Sequence, residues 1–266
     1  MYRDPPPPGL GRPPADSEVG RVVEYAGRRF SVAGGTRIGP RYSANYDVLH
    51  VDPVVPFVAV ADGLGDGPGS ALAGTTAVQT LVTAVRAAGR EIGATRLRAA
   101  TAQAQAQVRA AGVGAEGLTG TTLTALVADP GGEDGWLVQL GDSRAYRLRD
   151  GLLELLTADH NRAWLHAVHG GRPGEPPSAA ARYHLTRYVG HPADPEPDLL
   201  YVALRPGDVY CLCTDGVSEL VEHPRLARRL GADADPVKIA HMLLSDAMAA
   251  GGRDNATLAV LRVEPS

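Results

Sequence analysis

Residues 57–63 read Phe-Val-Ala-Val-Ala-Asp-Gly. Five apolar residues, then a carboxylate, then a glycine describe a buried strand that ends on an acid. The same order recurs twice. Val209-Tyr210-Cys211-Leu212-Cys213-Thr214 runs into Asp215-Gly216, and Trp136-Leu137-Val138-Gln139-Leu140-Gly141 runs into Asp142. Gly252-Arg253-Asp254-Asn255 stands just before a last apolar run, Thr257 to Val263. A carboxylate at the tip of a buried strand is held rigidly and points out of the core. A neighbouring glycine lets the backbone approach a ligand and can expose its carbonyl. Several such carboxylates converging repel one another unless cations lie between them. Oxygen-only ligands suit Mg²⁺ or Mn²⁺. One Asp-Gly alone reads as a turn, but repeated at strand ends the pattern reads as a metal cluster.

Outward from these tips the chain alternates runs of strands with two helical blocks. Strands are expected at Val22 to Tyr25, Phe30 to Val32, Asp47 to Val51, Phe57 to Ala61, Thr122 to Ala128, Trp136 to Leu140, Ala145 to Leu148, Leu152 to Leu156, Leu199 to Leu204, Val209 to Thr214 and Thr257 to Val263. Asp150-Gly151 is a hairpin signal between two of them. Helices are expected at Gly69 to Ala88, where Val78, Leu81, Val82 and Val85 follow the i, i+3, i+4, i+7 spacing, and at Gly93 to Ala111. A short helix near Arg162 to His169 precedes a glycine- and proline-rich loop, and a last helix covers Pro236 to Ala249. Antiparallel-looking runs of strands with helices in separate blocks predict an α+β fold, helices covering stacked sheets. Residues 1–18 hold six prolines and almost nothing apolar, which predicts a disordered tail before one domain at 19–266.

Composition removes several functions. The chain has 266 residues, 44% hydrophobic and 21% charged, with a formal charge of −4. A nucleic-acid binder usually carries a basic surplus. No apolar run approaches the roughly 20 residues of a membrane span, and no apolar h-region follows Met1, so a cytoplasmic protein is expected. Two cysteines at i, i+2, Cys211 and Cys213, make no disulfide framework and read as core. Lys238 is the single lysine and sits in Val-Lys-Ile, which excludes a P-loop. Asparagine occurs only at positions 45, 161 and 255. The bias to Arg, Ala and Gly suggests a GC-rich bacterial genome. Gly65-Asp66-Gly67-Pro68-Gly69 imitates a dinucleotide fingerprint, but Ser70 takes the third glycine's place and no βαβ alternation follows. His166 and His169 share a helix face without a third ligand in register, and a solvated or capping role is expected for them.

Eight blocks in order carry a resemblance: Asn45-Tyr46-Asp47, Val60-Ala61-Asp62-Gly63, Gly120-Thr121-Thr122-Leu123, Gly141-Asp142-Ser143-Arg144-Ala145-Tyr146, Leu156-Thr157-Ala158-Asp159-His160, Leu185-Thr186-Arg187-Tyr188-Val189-Gly190, Cys213-Thr214-Asp215-Gly216 and Gly252-Arg253-Asp254-Asn255. Together they resemble the metal-dependent protein serine/threonine phosphatases of the PP2C (PPM) type, in a bacterial form, over about residues 20–263. The resemblance implies an α-β-β-α sandwich of two mainly antiparallel sheets with a binuclear Mn²⁺/Mg²⁺ centre at one end. It implies that Asp62 bridges two ions and that the Gly63 carbonyl binds one. Asp215 and Asp254 would ligate the second, and Asp47 would hold metal-bound water at the rim. Asp142 would share a third, looser ion with Asp215, and residues of about 160–183 would form a flap beside the site. A water bridging two cations about 3.5–4 Å apart would attack phosphorus in line, with phosphoserine and phosphothreonine proteins, products of a bacterial kinase, as substrates. A monomer is expected.

The chain departs from the pattern in places. Tyr46 replaces an acidic or amide residue. Tyr42 stands where a phosphate-anchoring arginine is usual, and Arg41 lies one position further out. Leu64 follows Asp62-Gly63 and has no proton to donate. A bulge or irregular turn between Arg41 and Asn45 is expected to turn Arg41 toward the metals. Two other readings stand beside hydrolysis. One is a non-catalytic PP2C-like phosphoprotein-binding regulator. The other is a partner-switching phosphatase acting on an anti-sigma antagonist, a branch that lacks parts of the flap.

Overall fold

A computed structural model describes residues 16–65, 67–112, 119–170 and 178–265. Strands β1 (Ser17–Tyr25), β2 (Arg28–Arg37), β3 (Val48–Val51) and β4 (Phe57–Ala61) come first, then helices α1 (Pro68–Ala88) and α2 (Ala94–Ala111). Strands β5 (Leu123–Ala128), β6 (Asp134–Leu140), β7 (Arg144–Arg149) and β8 (Leu152–Leu155) follow, then α3 (Arg162–His169). Strands β9 (Asp198–Ala203) and β10 (Val209–Cys213), helices α4 (Asp215–Ser218), α5 (His223–Leu230) and α6 (Pro236–Ala249), and β11 (Ala256–Val263) complete the chain. One sheet has the order β1-β2-β11-β10-β7-β8, the other β3-β4-β5-β6-β9. Every pairing between these strands is antiparallel. The Rossmann reading of residues 65–69 therefore fails for want of a parallel sheet.

The opening heptad explains the layering. Val58 and Val60 point between the sheets, where they meet Val32, Leu126, Leu212 and Leu261. Phe57, Ala59 and Ala61 point outward into a second core with Val78, Leu81 and Val108 of α1 and α2. Both faces of β4 are covered, which is why its sequence is apolar throughout rather than alternating. β10 repeats this: Tyr210 and Leu212 face the other sheet, while Cys211 and Cys213 face Leu243 and Leu244 of α6. The two cysteines are free and buried. The result is the expected α-β-β-α sandwich.

Some expectations need correction. β1 begins at Ser17, two residues before the domain boundary read from sequence, because Ser17 and Glu18 already pair with Thr36 and Gly35. Residues 1–15 of the proposed tail lie outside the described residues, as do 171–177 of the flap and Asp66. α4 and α5 were not anticipated. α4 is a single turn, and α5, His-Pro-Arg-Leu-Ala-Arg-Arg-Leu, buries only Leu226 and Leu230, too few apolar positions to show a period. Asp150 and Gly151 do form the tight hairpin turn, with φ of 50° and 80°. No helix among the described residues is long and apolar enough to cross a membrane.

Candidate metal centre

Strand direction gathers the acids. Asp62 leaves the C-terminal end of β4, and its carbonyl accepts from the Thr122 N–H at 2.8 Å, where β5 begins. Asp142 follows β6, whose last residue, Leu140, pairs with Leu123. Asp215 follows β10 and opens α4, beside the start of β11, where Cys213 pairs with Leu258. Asp254 precedes β11, and Asp47 precedes β3. All five thus lie at one end of the sandwich. Asp62, Asp142, Asp215 and Asp254 line a cavity of about 130 Å³ with Gly63, Leu64, Tyr42 and Tyr46. That is room for a few ions and waters, at about 30 Å³ per liquid water. It adjoins a second cavity of about 370 Å³ that shares Asp142 and Asp215 and runs beneath α3.

Asp47 departs from its expected place. It is buried at 2% exposure under the cavity rather than at its rim. The Thr214 hydroxyl donates to its Oδ2 at 2.9 Å, and its own N–H donates to Asn45 Oδ1 at 3.1 Å. Those partners draw the side chain inward. Arg41 sits on a turn closed by Tyr42 N–H to the Gly39 carbonyl at 3.2 Å, so the expected irregularity is present. The arginine is exposed, rests 5.8 Å from the Tyr42 ring centroid and does not line the cavity. Its charge nevertheless reaches Asp254, whose pKa it lowers against the stronger upward push of burial. His166 and His169 lie on α3 and line neither cavity.

The electrostatics mark the cluster. Asp62 is pushed well above the ordinary carboxylate range by desolvation, then by the charges of Asp47, Asp215, Asp254 and Asp142. Asp142 rises to about 7 through burial and then Asp215, Asp47 to about 7 and Asp215 to about 6, chiefly through burial. Among the described residues, Asp215 Oδ1 is buried without a hydrogen-bond partner. A buried acceptor without a donor is costly, and a cation held there would satisfy it. Among the described residues no three His, Cys, Asp or Glu side chains close on one point as a complete cage. Bare like charges are not drawn together, and the set suits small hard ions that keep several waters and take one or two carboxylates each. Glycine is required at Gly216, where a Cβ would lie 1.9 Å from the Asn255 carbonyl, and at Gly63, pressed between the Ser70 and Tyr46 carbonyls.

Sequence reading missed the neutral scaffold under the acids. Asn45 Nδ2 donates to Thr36 Oγ1 at 2.6 Å, the same distance that separates the Thr36 and Thr257 hydroxyls. Asn255 Oδ1 accepts from the Tyr46 N–H at 2.7 Å. Asn161 caps α3, accepting from the Trp164 N–H at 3.0 Å, and hydrogen-bonds Asp142. All three asparagines of the chain therefore stand at this end. In a sequence so poor in asparagine, their positions were the available signal.

Residues 44–243 match the family described as Protein phosphatase 2C. The chain is 38% identical over 147 residues to "Serine/threonine protein phosphatase PstP" of Mycobacterium tuberculosis, covering 54% of this chain and 27% of that protein. It thus spans about a quarter of that relative's length. It is 28% identical over 218 residues to "Serine/threonine phosphatase stp" of Listeria monocytogenes, 79% of this chain and 84% of that one. Among solved structures it resembles the PPM Ser-Thr phosphatase MsPP of Mycobacterium smegmatis in complex with cacodylate. The TM-score there is 0.75 at 31% identity, over 87% of this chain and 97% of that one. It also resembles the catalytic domain of PstP in complex with two manganese ions, with a TM-score of 0.76 at 28% identity over 89% and 99% of the two chains. The fold, the ordered motifs and the family match agree: the chain belongs to the protein phosphatase 2C family.

Proposed function

We propose that this chain hydrolyses phosphoserine and phosphothreonine monoesters in proteins, using Mn²⁺ or Mg²⁺ held by Asp62, Gly63, Asp215 and Asp254. The observation that carries the reading is the cavity lined by four mutually repelling carboxylates from four separate segments, one with a buried, unpartnered oxygen. Divalent ions bound there would supply an activated water and neutralise the phosphoryl oxygens. Asp62, on which the charges of Asp47, Asp215, Asp254 and Asp142 all bear, would be the ligand shared by the ions. Asp142 and Asp215, which line both cavities, would hold a looser third ion. Asp47 adds negative charge beneath Asp62. Arg41, exposed beside Tyr42 and outside the cavity lining, would have to swing inward for its guanidinium to hold two phosphoryl oxygens. Leu64 lines the cavity and has no proton to give to the leaving alkoxide.

The substrates are phosphoproteins made by a bacterial Ser/Thr kinase, and the enzyme acts as a cytoplasmic monomer in signal transduction. Hydrolysis of a phosphothreonine peptide, with Mn²⁺ and then with EDTA, tests this. Turnover is expected with Mn²⁺ and none after chelation. Full activity in EDTA overturns the metal chemistry. Tight phosphopeptide binding without turnover would favour the non-catalytic regulator.

A further inference from the structure

We propose that His160 is a positioning residue that, with Asn161, latches the Asp142 turn to helix α3 and so fixes the geometry of the loose metal position. The inference rests on the metal reading of Asp142.

Gly141 carries Asp142 and is held on both sides. Its N–H donates to His160 Nδ1 at 3.1 Å, and its carbonyl accepts from the His160 N–H at 3.1 Å. A backbone N–H can only donate, so Nδ1 must be the unprotonated nitrogen. The ring proton then lies on Nε2, which donates to Asp198 Oδ2 at 2.9 Å, at the start of β9. Arg187 Nη1 also lies 2.9 Å from Nε2. A nitrogen that carries its proton has no lone pair for a second donor, and the ion-pair partner of this guanidinium is the other Asp198 oxygen, at 2.8 Å. Burial lowers the pKa of His160, in keeping with a neutral ring.

The adjacent residues extend the latch in both directions. Asn161 hydrogen-bonds the Asp142 side chain and caps α3 through the Trp164 N–H. The His160 carbonyl accepts from the Thr186 N–H at 2.8 Å, fastening the chain that returns from the flap. Gly141 has a φ of 107°, and a Cβ there would lie 2.5 Å from the Thr122 side chain. The turn has little freedom of its own once His160 holds it. His160 is only 5% exposed and lines neither cavity, so its effect is on geometry and not on the reacting atoms.

The two ring contacts can be separated. In His160→Asn, Oδ1 replaces Nδ1 and still accepts from Gly141. In His160→Gln, the longer amide still donates to Asp198 but the Gly141 contact is lost. Mn²⁺ binding by calorimetry, kcat and KM on a phosphothreonine peptide, and Tm would be measured for both variants and for His160→Ala. The expected result is that Gln and Ala weaken the loosest Mn²⁺ at least fivefold and lower kcat by a similar factor with KM nearly unchanged. Asn stays within twofold of the parent in both. Equal Mn²⁺ weakening in Asn and Gln, tracking their loss of Tm, overturns the proposal and leaves only a buried packing role. Parent-like Mn²⁺ binding in Gln also overturns it. If His160→Ala does not fold, the Asn–Gln contrast still decides. Because Mn²⁺ binding is read directly, an inactive parent that binds Mn²⁺ would sink the phosphatase reading and not the latch. A parent that binds no Mn²⁺ would sink both.

Discussion

Asp52 and Asp62 lie at opposite ends of the β3–β4 hairpin, and the fold treats them in opposite ways. Asp52 is 1% exposed. Its Oδ1 accepts from the N–H groups of Val54 and Val55 at 2.9 and 3.1 Å, and Arg86 reaches its Oδ2 at 3.0 Å. Burial pushes its pKa up, but these donors outweigh it and the net displacement is downward. Asp62 faces the charges of Asp47, Asp215, Asp254 and Asp142. Desolvation and four neighbouring charges push the same way, and the pKa goes up. Asp246, gripped by Arg225 and Arg229, belongs with Asp52, and its pKa is lowered chiefly by those hydrogen bonds. Around Asp52 and Asp246 the donors outweigh burial, whereas the donors that Asp47 and Asp142 receive from Thr214 and Asn161 are outweighed by burial and by neighbouring carboxylates. That difference is the physical signature of a place built for cations.

Replacing each acid tests this contrast. Asp62→Asn should lower Mn²⁺-dependent turnover by at least about 100-fold, the scale lost when one preorganised electrostatic group is removed. Without metal its Tm should hold or rise, because repulsion is relieved, and the stabilisation by added Mn²⁺ should shrink. A fall in metal-free Tm would mean that Asp62 is a structural acid like Asp52. Asp52→Ala should do the reverse. It leaves two N–H groups and a guanidinium without their acceptor and should cost about 1–3 kcal/mol in urea unfolding, with kcat per folded molecule unchanged. Arg41→Ala should raise KM for phosphopeptide severalfold more than it lowers kcat, because ground-state binding is what it removes. An unchanged KM would show that the metals alone hold the phosphate.

The smallest effect concerns pH. Asp246 has a folded pKa below its unfolded value of about 3.9. Its contribution to stability is complete above that value and fades as pH falls below it. Asp246→Asn should therefore flatten the acid limb of the stability profile and leave pH 6–8 almost unaltered. The metal-free centre has the opposite sign. Asp47 and Asp142 have folded pKa values raised to about 7, so stability in EDTA should fall as pH rises from about 4 to 7, and added Mn²⁺ should remove that slope. Chelated protein with a flat profile across this range would break the contrast between the two kinds of buried acid.

Much of this architecture could be read from β4 and β10, whose unbroken apolar runs admit only a doubly covered strand, and from the acids that terminate them. The site was legible where a residue type advertises its chemistry, as Asp62, Asp142, Asp215 and Asp254 do. It was less legible where position depends on partners distant in sequence. Asp47 was expected at the rim, but Thr214, 167 residues away, draws it inward. Arg41 lies on the expected turn, yet its guanidinium sits over the Tyr42 ring, 5.8 Å from the centroid, and does not line the cavity. α5 was invisible because three arginines and a histidine occupy a helix that buries two leucines.

β1 and β11 run in the same direction, separated by β2 and antiparallel to it, so the first described residue of the sheet and the last lie at opposite ends of the sandwich. Nine residue pairs join β1 to β2 and eight join β2 to β11. Force applied between Ser17 and Val263 would load both ladders along the strands, in shear, rather than peeling their hydrogen bonds one at a time. Anything tethered ahead of Ser17 starts beside the carboxylates, whereas anything tethered after Val263 starts at the far end. For immobilisation on a surface or a bead, the C-terminal attachment leaves the cavity mouth facing solvent, and a pull through both termini meets the mechanically resistant direction of the sheet.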